Sequence, residues 1–171
     1  MAKKIKVYLS ARISQDAHAW NERVCSHLKP PLSVFMPQQH NPWNVAHETF
    51  QIGVYQMDLE AMEESHMSLL LPPYGRDCAW EVGWYVHADK PLAVFVDDQT
   101  RWLRDWMVKG GLNYIITTNQ RTYRRLMRDP ILQIKQVLFI EHLDQLGGVL
   151  QRICHDHYHK KKKDGTRRKR R

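Results

Sequence analysis

The residues best suited to chemistry fall in three short stretches. The first is PPYGRDCAWEVGW, residues 72–84, where a Pro/Gly loop carries Asp77 and leads into a helical pattern holding Glu81. The two acids are four apart, so they can share one helix face. Acids in a first helical turn also suit the helix dipole, which leaves capping as the plain alternative. Trp80, Val82, Trp84 and Tyr85 surround Glu81 with apolar mass. A carboxylate so placed is partly desolvated and needs a partner or a function. The second stretch is YQMDLEAMEES, residues 55–65. On a helix Tyr55, Leu59 and Met62 form one stripe with Asp58 beside it, although an exposed helix charge explains Asp58 equally well. The third is Val7-Tyr8-Leu9 in an apolar run. Tyr8 reads first as a core aromatic, but a buried hydroxyl must still find a partner, and a carboxylate in a crevice would serve.

Other chemistries find little support. Gly75, Gly83, Gly110 and Gly111 match neither a P-loop nor a dinucleotide fingerprint. His155-Asp156-His157 and His159 read as a solvated helix end, and no metal site is expected. Asp97-Asp98 at a strand end could hold a sugar or a metal, but fits a capped turn better. There is no serine elbow and no candidate catalytic cysteine. No cofactor is expected.

The elements that must position these groups follow from the apolar pattern. Runs at 5–10, 33–36, 67–71, 91–96 and 114–117 read as strands. Helical patterns lie over 15–28, 49–64, 78–88, 100–108, 120–128 and 142–158, and 38–48 reads as a loop. Alternation of this kind means βαβ units, so the expected fold is α/β: a flavodoxin- or Rossmann-like three-layer sandwich around a mainly parallel sheet of about five strands. Ligands of such sheets sit beyond the carboxyl ends of the strands, at a switch in strand order. That gathers Ser10–Ser14, 37–44, 72–81 and 97–100 around one crevice.

The chain has 171 residues and a formal net charge of +8, which at first suggests a nucleic-acid binder. The distribution corrects this. Nine of the 26 Lys and Arg and one of the 18 Asp and Glu lie in 160–171 (KKKKDGTRRKRR), leaving 17 of each in 1–159. Residues 1–159 are therefore expected to form one neutral domain. Residues 160–171 are expected to be a disordered basic tail, a solubility device or an arm for weak, salt-sensitive nucleic-acid binding. Cys25, Cys78 and Cys154 form no CxxC pair and suit a reducing, cytoplasmic setting. The opening MAKKIKVYLSA is too short in apolar residues for a signal peptide, and no apolar run of about 18 residues predicts a membrane helix.

Taken together, Val7-Tyr8-Leu9-Ser10-Ala11, Tyr55-Gln56-Met57-Asp58-Leu59 and Gly75-Arg76-Asp77-Cys78-Ala79-Trp80-Glu81-Val82-Gly83-Trp84 resemble motifs of the nucleoside 2-deoxyribosyltransferase family. Lys90-Pro91 and Gly111-Leu112-Asn113 fit as well, and the resemblance spans roughly residues 4–120. It implies that Glu81 attacks the anomeric carbon of a nucleoside and that Tyr8 orients its carboxylate. It further implies that Asp58 binds the base and that Asp77 helps manage the base's proton. Ser10, Arg12 and Gly75 would line the substrate's place, with Arg12 able to meet a 5′-phosphate. The resemblance also implies a homo-oligomer with sites near subunit contacts, where an Asn such as Asn113 can come from a neighbouring chain. Many family members place about two more residues between this Asp and the nucleophile, and the bulk of Trp80 and Trp84 implies an altered shape around sugar or base.

The expected activity is cleavage of the N-glycosidic bond of 2′-deoxynucleosides through a glycosyl-Glu81 intermediate, with transfer to another base. A hydrolase of nucleoside 5′-monophosphates on the same scaffold is the first alternative. A non-catalytic nucleotide- or nucleic-acid-binding module is the second.

Overall fold

The five expected apolar runs become β1 (Ile5–Ala11), β2 (Leu32–Phe35), β3 (Met67–Leu71), β4 (Leu92–Phe95) and β5 (Tyr114–Thr117), and a sixth strand, β6 (Gln136–Phe139), joins them. The computed structural model describes residues 4–40, 48–97, 105–133 and 135–168, and of 48–51 and 162–168 the backbone alone. The strands form one sheet in the order β2-β1-β3-β4-β5-β6, parallel at every pairing. This is the flavodoxin-like arrangement, with six strands where five were expected. The missing strand, QVLF, has one exposed residue at each end and none fully buried. A half-buried edge strand of four residues gives little apolar periodicity to read.

The helices are α1 (Gln15–Cys25), α2 (Pro37–His40), α3 (Glu48–Glu64), α4 (Arg76–His87), α5 (Trp106–Gly111), α6 (Gln120–Leu126) and α7 (Leu146–Arg168). The four-residue α2 replaces the start of an expected loop, whose remainder, 41–47, lies outside the described residues. The same is true of most of the helix expected over 100–108, of which only the part from Trp106 is described.

Strand residues alternate between two cores, and β3, β4 and β5 are buried along their whole length, as expected of parallel strands covered on both faces. On one face Val7, Leu9, Leu69 and Phe95 meet Val24 and Leu28 from α1 and its exit, and Val149, Leu150 and Ile153 of α7. On the other, Tyr8, Leu70, Val94 and Ile115 meet Met62 of α3, Val82 and Tyr85 of α4, Val108 of α5 and Leu126 of α6. Close approach of α5 to α4 requires Gly111: a Cβ there would lie 2.8 Å from Val82 Cγ1 and 3.1 Å from Val86 Cγ2.

Helix α7 runs on to Arg168, into the basic segment. Lys and Arg are good helix formers, and cations near a helix carboxyl end interact favourably with its dipole. Among the described residues no helix is long and apolar enough to cross a membrane. The three cysteines are free thiols.

Candidate active site

Because β1 lies between β2 and β3, the chain leaves it toward one side and returns on the other, and the carboxyl ends of β1 and β3 open a crevice. Alternation along β1 sends Tyr8 and Ser10 to the same face as α4. Both are fully buried. The Tyr8 ring is held by Phe35, stacked at 5.7 Å between centroids, and by Tyr85 at 6.2 Å. Burial, then the nearby Glu81 and Asp58 charges, raise the Tyr8 phenol far above its ordinary range, so it stays a donor.

That donor is aimed at Glu81. Tyr8 Oη donates to Glu81 Oε1 at 2.9 Å, and Ser10 Oγ donates to Glu81 Oε2. Both carboxylate oxygens are thus held from one strand. Helix α4 begins at Arg76, two residues earlier than expected, so Glu81 lies in its second turn and Asp77 in the first. The dipole of a helix acts within the first turn, so capping does not account for Glu81. Burial pushes the Glu81 carboxyl up to about 7; the Ser10 and Tyr8 hydrogen bonds work against this, and the Asp58 and Asp77 charges add to it. A carboxylate that titrates near neutrality and is clamped on both oxygens can act as a nucleophile or as an acid or base.

Glu81 lines a cavity of about 660 Å³ together with Tyr8, Arg12, Asp58, Gly75 and Asp77. Asp58 projects from α3, and Asp77 is exposed at the start of α4. Gly75 caps α4 in extended backbone, and a Cβ there would meet nothing within 4 Å, so the glycine leaves open space beside the cavity. Arg12 faces the cavity while its guanidinium stands 3.6 Å from Asp16.

Two expected residues stand differently. Ser10 is committed to Glu81 and is part of its clamp, where a substrate-binding role was expected. Asn113 lies at the amino ends of the strands: its side-chain oxygen accepts from the Leu92 N–H at 2.9 Å, at the start of β4. Within one chain the fold does not bring Asn113 to the cavity, because it precedes β5 and the crevice lies where strands end.

Further side chains complete the cavity, among them Trp80, whose bulk was expected to alter its shape. Tyr55 and Trp80 tilt against each other at 6.2 Å, and both remain half exposed beside the opening. Cys78 contributes a buried thiol, which burial and then Glu81 push up to about 12, so it is not a ready nucleophile. The bulk of Trp80 beside Glu81 was the readable signal for the aromatic wall. The Cys78 contact depends on how α4 docks and had none. Among the described residues no group of three or more His, Cys, Asp or Glu is arranged to hold a metal.

No family model matches the chain, and no curated protein matches it by sequence. Solved structures do match it in fold. The 2-deoxyribosyltransferase of Bacillus psychrosaccharolyticus superposes with a TM-score of 0.54 at 18% identity, covering 79% of this chain and 99% of that one. A conserved protein from Enterococcus faecalis superposes with a TM-score of 0.52 at 16% identity, over 86% of this chain and 98% of that one. A CMP N-glycosidase from Clostridium botulinum superposes with a TM-score of 0.44 at 13% identity, over 85% and 98%. By fold, this chain is therefore similar to a nucleoside 2-deoxyribosyltransferase.

Proposed function

We propose that this chain cleaves the N-glycosidic bond of nucleosides, with Glu81 as nucleophile. The observation that carries the reading is the clamp on Glu81: two buried hydroxyls, Tyr8 and Ser10, each donating to a different carboxylate oxygen beside a cavity of about 660 Å³. Likeness of fold to the Bacillus transferase adds to it.

In the proposed reaction one Glu81 oxygen bonds to the anomeric carbon as the bond from that carbon to the base nitrogen breaks. The bonding pair leaves with the base, which takes a proton from a water molecule beside Asp77. Charge on the sugar develops an oxocarbenium character that the carboxylate stabilises and then traps. The oxygen outside the new ester keeps its hydroxyl donor, so the clamp survives the step. A second base or water then opens the ester with net retention. Asp58, which lines the cavity from α3, would hydrogen-bond the base in this reading. An acceptor base makes the enzyme a transferase, and base exchange on 2′-deoxynucleosides is the form we favour.

A second reading has its own observation. Arg12 lines the same cavity, and its ion pair with Asp16 is long enough for a phosphate to displace. A nucleoside 5′-monophosphate would place its phosphate there, with water as acceptor.

One experiment tests both. The full chain is incubated with deoxyinosine, deoxyadenosine and their 5′-monophosphates, with and without a second free base. Exchange of bases supports the transferase, and free base with free sugar or sugar phosphate supports the hydrolase. Glu81→Gln should abolish either. If wild type and Glu81→Gln are equally inert on every substrate, the catalytic reading is wrong.

A further inference from the structure

Helix α6 presents a charge pattern that the cavity does not use. Thr122 and Leu126 are buried against the sheet, while Arg121, Arg124, Arg125 and the following Arg128 are exposed on the other side. Their spacing of three and four residues puts them in one stripe roughly 10 Å long. With Gln120 they bound a shallow depression of about 640 Å³. The neighbouring acid does not neutralise them. Asp129 is taken by Lys109 at 2.5 Å, a pair whose side chains are 8% and 16% exposed. Among the described residues no carboxylate forms an ion pair with these four guanidiniums. Since residues 1–159 carry 17 basic and 17 acidic groups, this stripe is a local concentration of positive charge on a body that is neutral as a whole.

We infer that the α6 stripe is a binding surface for the phosphate backbone of single-stranded nucleic acid. Guanidinium groups meet phosphate with paired donors, and a fixed row of four is matched by a chain of regularly spaced anions. An aromatic flank favours a single strand over other polyanions. Tyr123 of α6 contacts Phe139 of the edge strand β6 at 5.8 Å, and Phe139 keeps 39% of its surface exposed, free to stack on an unpaired base. The surface lies at the β5–β6 edge, whereas Glu81 sits where β1 and β3 end, so this inference does not rest on the glycosidic reading. It also differs from the 160–171 tail.

The test uses the full chain with an anisotropy titration of a labelled oligonucleotide of about 15 nucleotides. Three forms are compared: wild type; a tail form with Lys160, Lys161, Lys162, Lys163, Arg167, Arg168, Lys169, Arg170 and Arg171 changed to Gln; and the tail form with Arg121, Arg124, Arg125 and Arg128 also changed to Gln. The tail form should still bind, with a log–log salt slope of about −3 for four contacts. The added α6 changes should weaken binding at least tenfold and flatten the slope, with the melting temperature held. Arg124→Gln alone on the tail form should weaken binding about threefold, which covers failure of the larger variant to fold. Equal binding by the tail form and its α6 variants would overturn the inference. So would α6-dependent binding to phosphatidylserine vesicles with none to the oligonucleotide.

Discussion

Tyr8 Oη and Glu81 Oε1 lie 2.9 Å apart although 73 residues separate them. The bond ties the middle of a buried strand to the second turn of a helix. It exists because the switch in strand order sets α4 over the carboxyl half of β1. Tyr8→Phe keeps the ring that Phe35 and Tyr85 hold and removes only the hydroxyl. Melting temperature should stay within a few degrees. The freed carboxylate can rotate, and kcat/KM for nucleoside cleavage should fall about 100-fold. Unchanged kcat/KM in Tyr8→Phe would remove Tyr8 from the mechanism.

The acidic limb of the rate profile provides a second check. Glu81 must be ionised to attack, so kcat/KM should rise with pH through about 7, where burial has placed its carboxyl. Neighbours should move this limb in opposite directions. The Tyr8 hydrogen bond lowers the Glu81 pKa, so Tyr8→Phe shifts the limb to higher pH. The Asp58 charge raises it, so Asp58→Asn shifts the limb to lower pH. Both variants lose activity, but only a direct electrostatic link to Glu81 gives limb shifts of opposite sign.

Much of this is legible in the sequence. Alternation of apolar runs with helical patterns is a strong signal in buried parallel strands, and it locates β1, β3, β4 and β5 within a residue or two. The crevice then follows from topology and takes in Asp77 and Glu81, whereas Tyr8, in the middle of β1, and Asp58, inside α3, were joined to them by the family resemblance. What escaped depends on side-chain direction and on weak edges. Ser10 reads as a loop residue open to substrate, but the two-residue period of β1 turns it beside Tyr8 onto Glu81. Asn113 reads as a residue that a neighbouring chain could supply, and within one chain it stands at the amino end of β5, away from the crevice. β6 escaped because it exposes half of a very short run.

Stability should report the same carboxyl with the opposite preference. The folded Glu81 binds its proton more tightly than the unfolded chain does, since burial raises its carboxyl from 4.5 to about 7. The stability this contributes is fully present below about pH 4.5 and is lost as pH rises through about 7. Glu81→Gln carries no such charge. Relative to wild type it should gain stability between about pH 5 and pH 9, by roughly 2 kcal/mol. Urea unfolding of both proteins across that range tests this. A constant difference between them would mean that Glu81 titrates near its ordinary value.

Lys90 offers a test confined to architecture. Its ammonium donates to the carbonyls of Met62, Glu63 and Ser65 at 3.0, 2.6 and 2.8 Å, and so holds the carboxyl end of α3. It also stands 5.2 Å from the centre of the Trp84 ring on α4. Beside it, Ser65 Oγ donates to Met62 O at 2.7 Å, so the Tyr85 hydroxyl, 2.5 Å from Ser65 Oγ, is the donor in that pair. These bonds join the helix that carries Asp58 to the helix that carries Glu81. A charged donor to carbonyls is worth about 1.5–3 kcal/mol when removed, and partial exposure of Lys90 places the expected loss for Lys90→Met near the lower figure. If the bonds also fix the distance between the helices, KM should rise more than kcat falls, because Asp58 moves relative to the bound base while the Tyr8–Glu81 clamp stays intact. Loss of stability with both kinetic constants unchanged would show that Lys90 holds α3 without setting the width of the cavity.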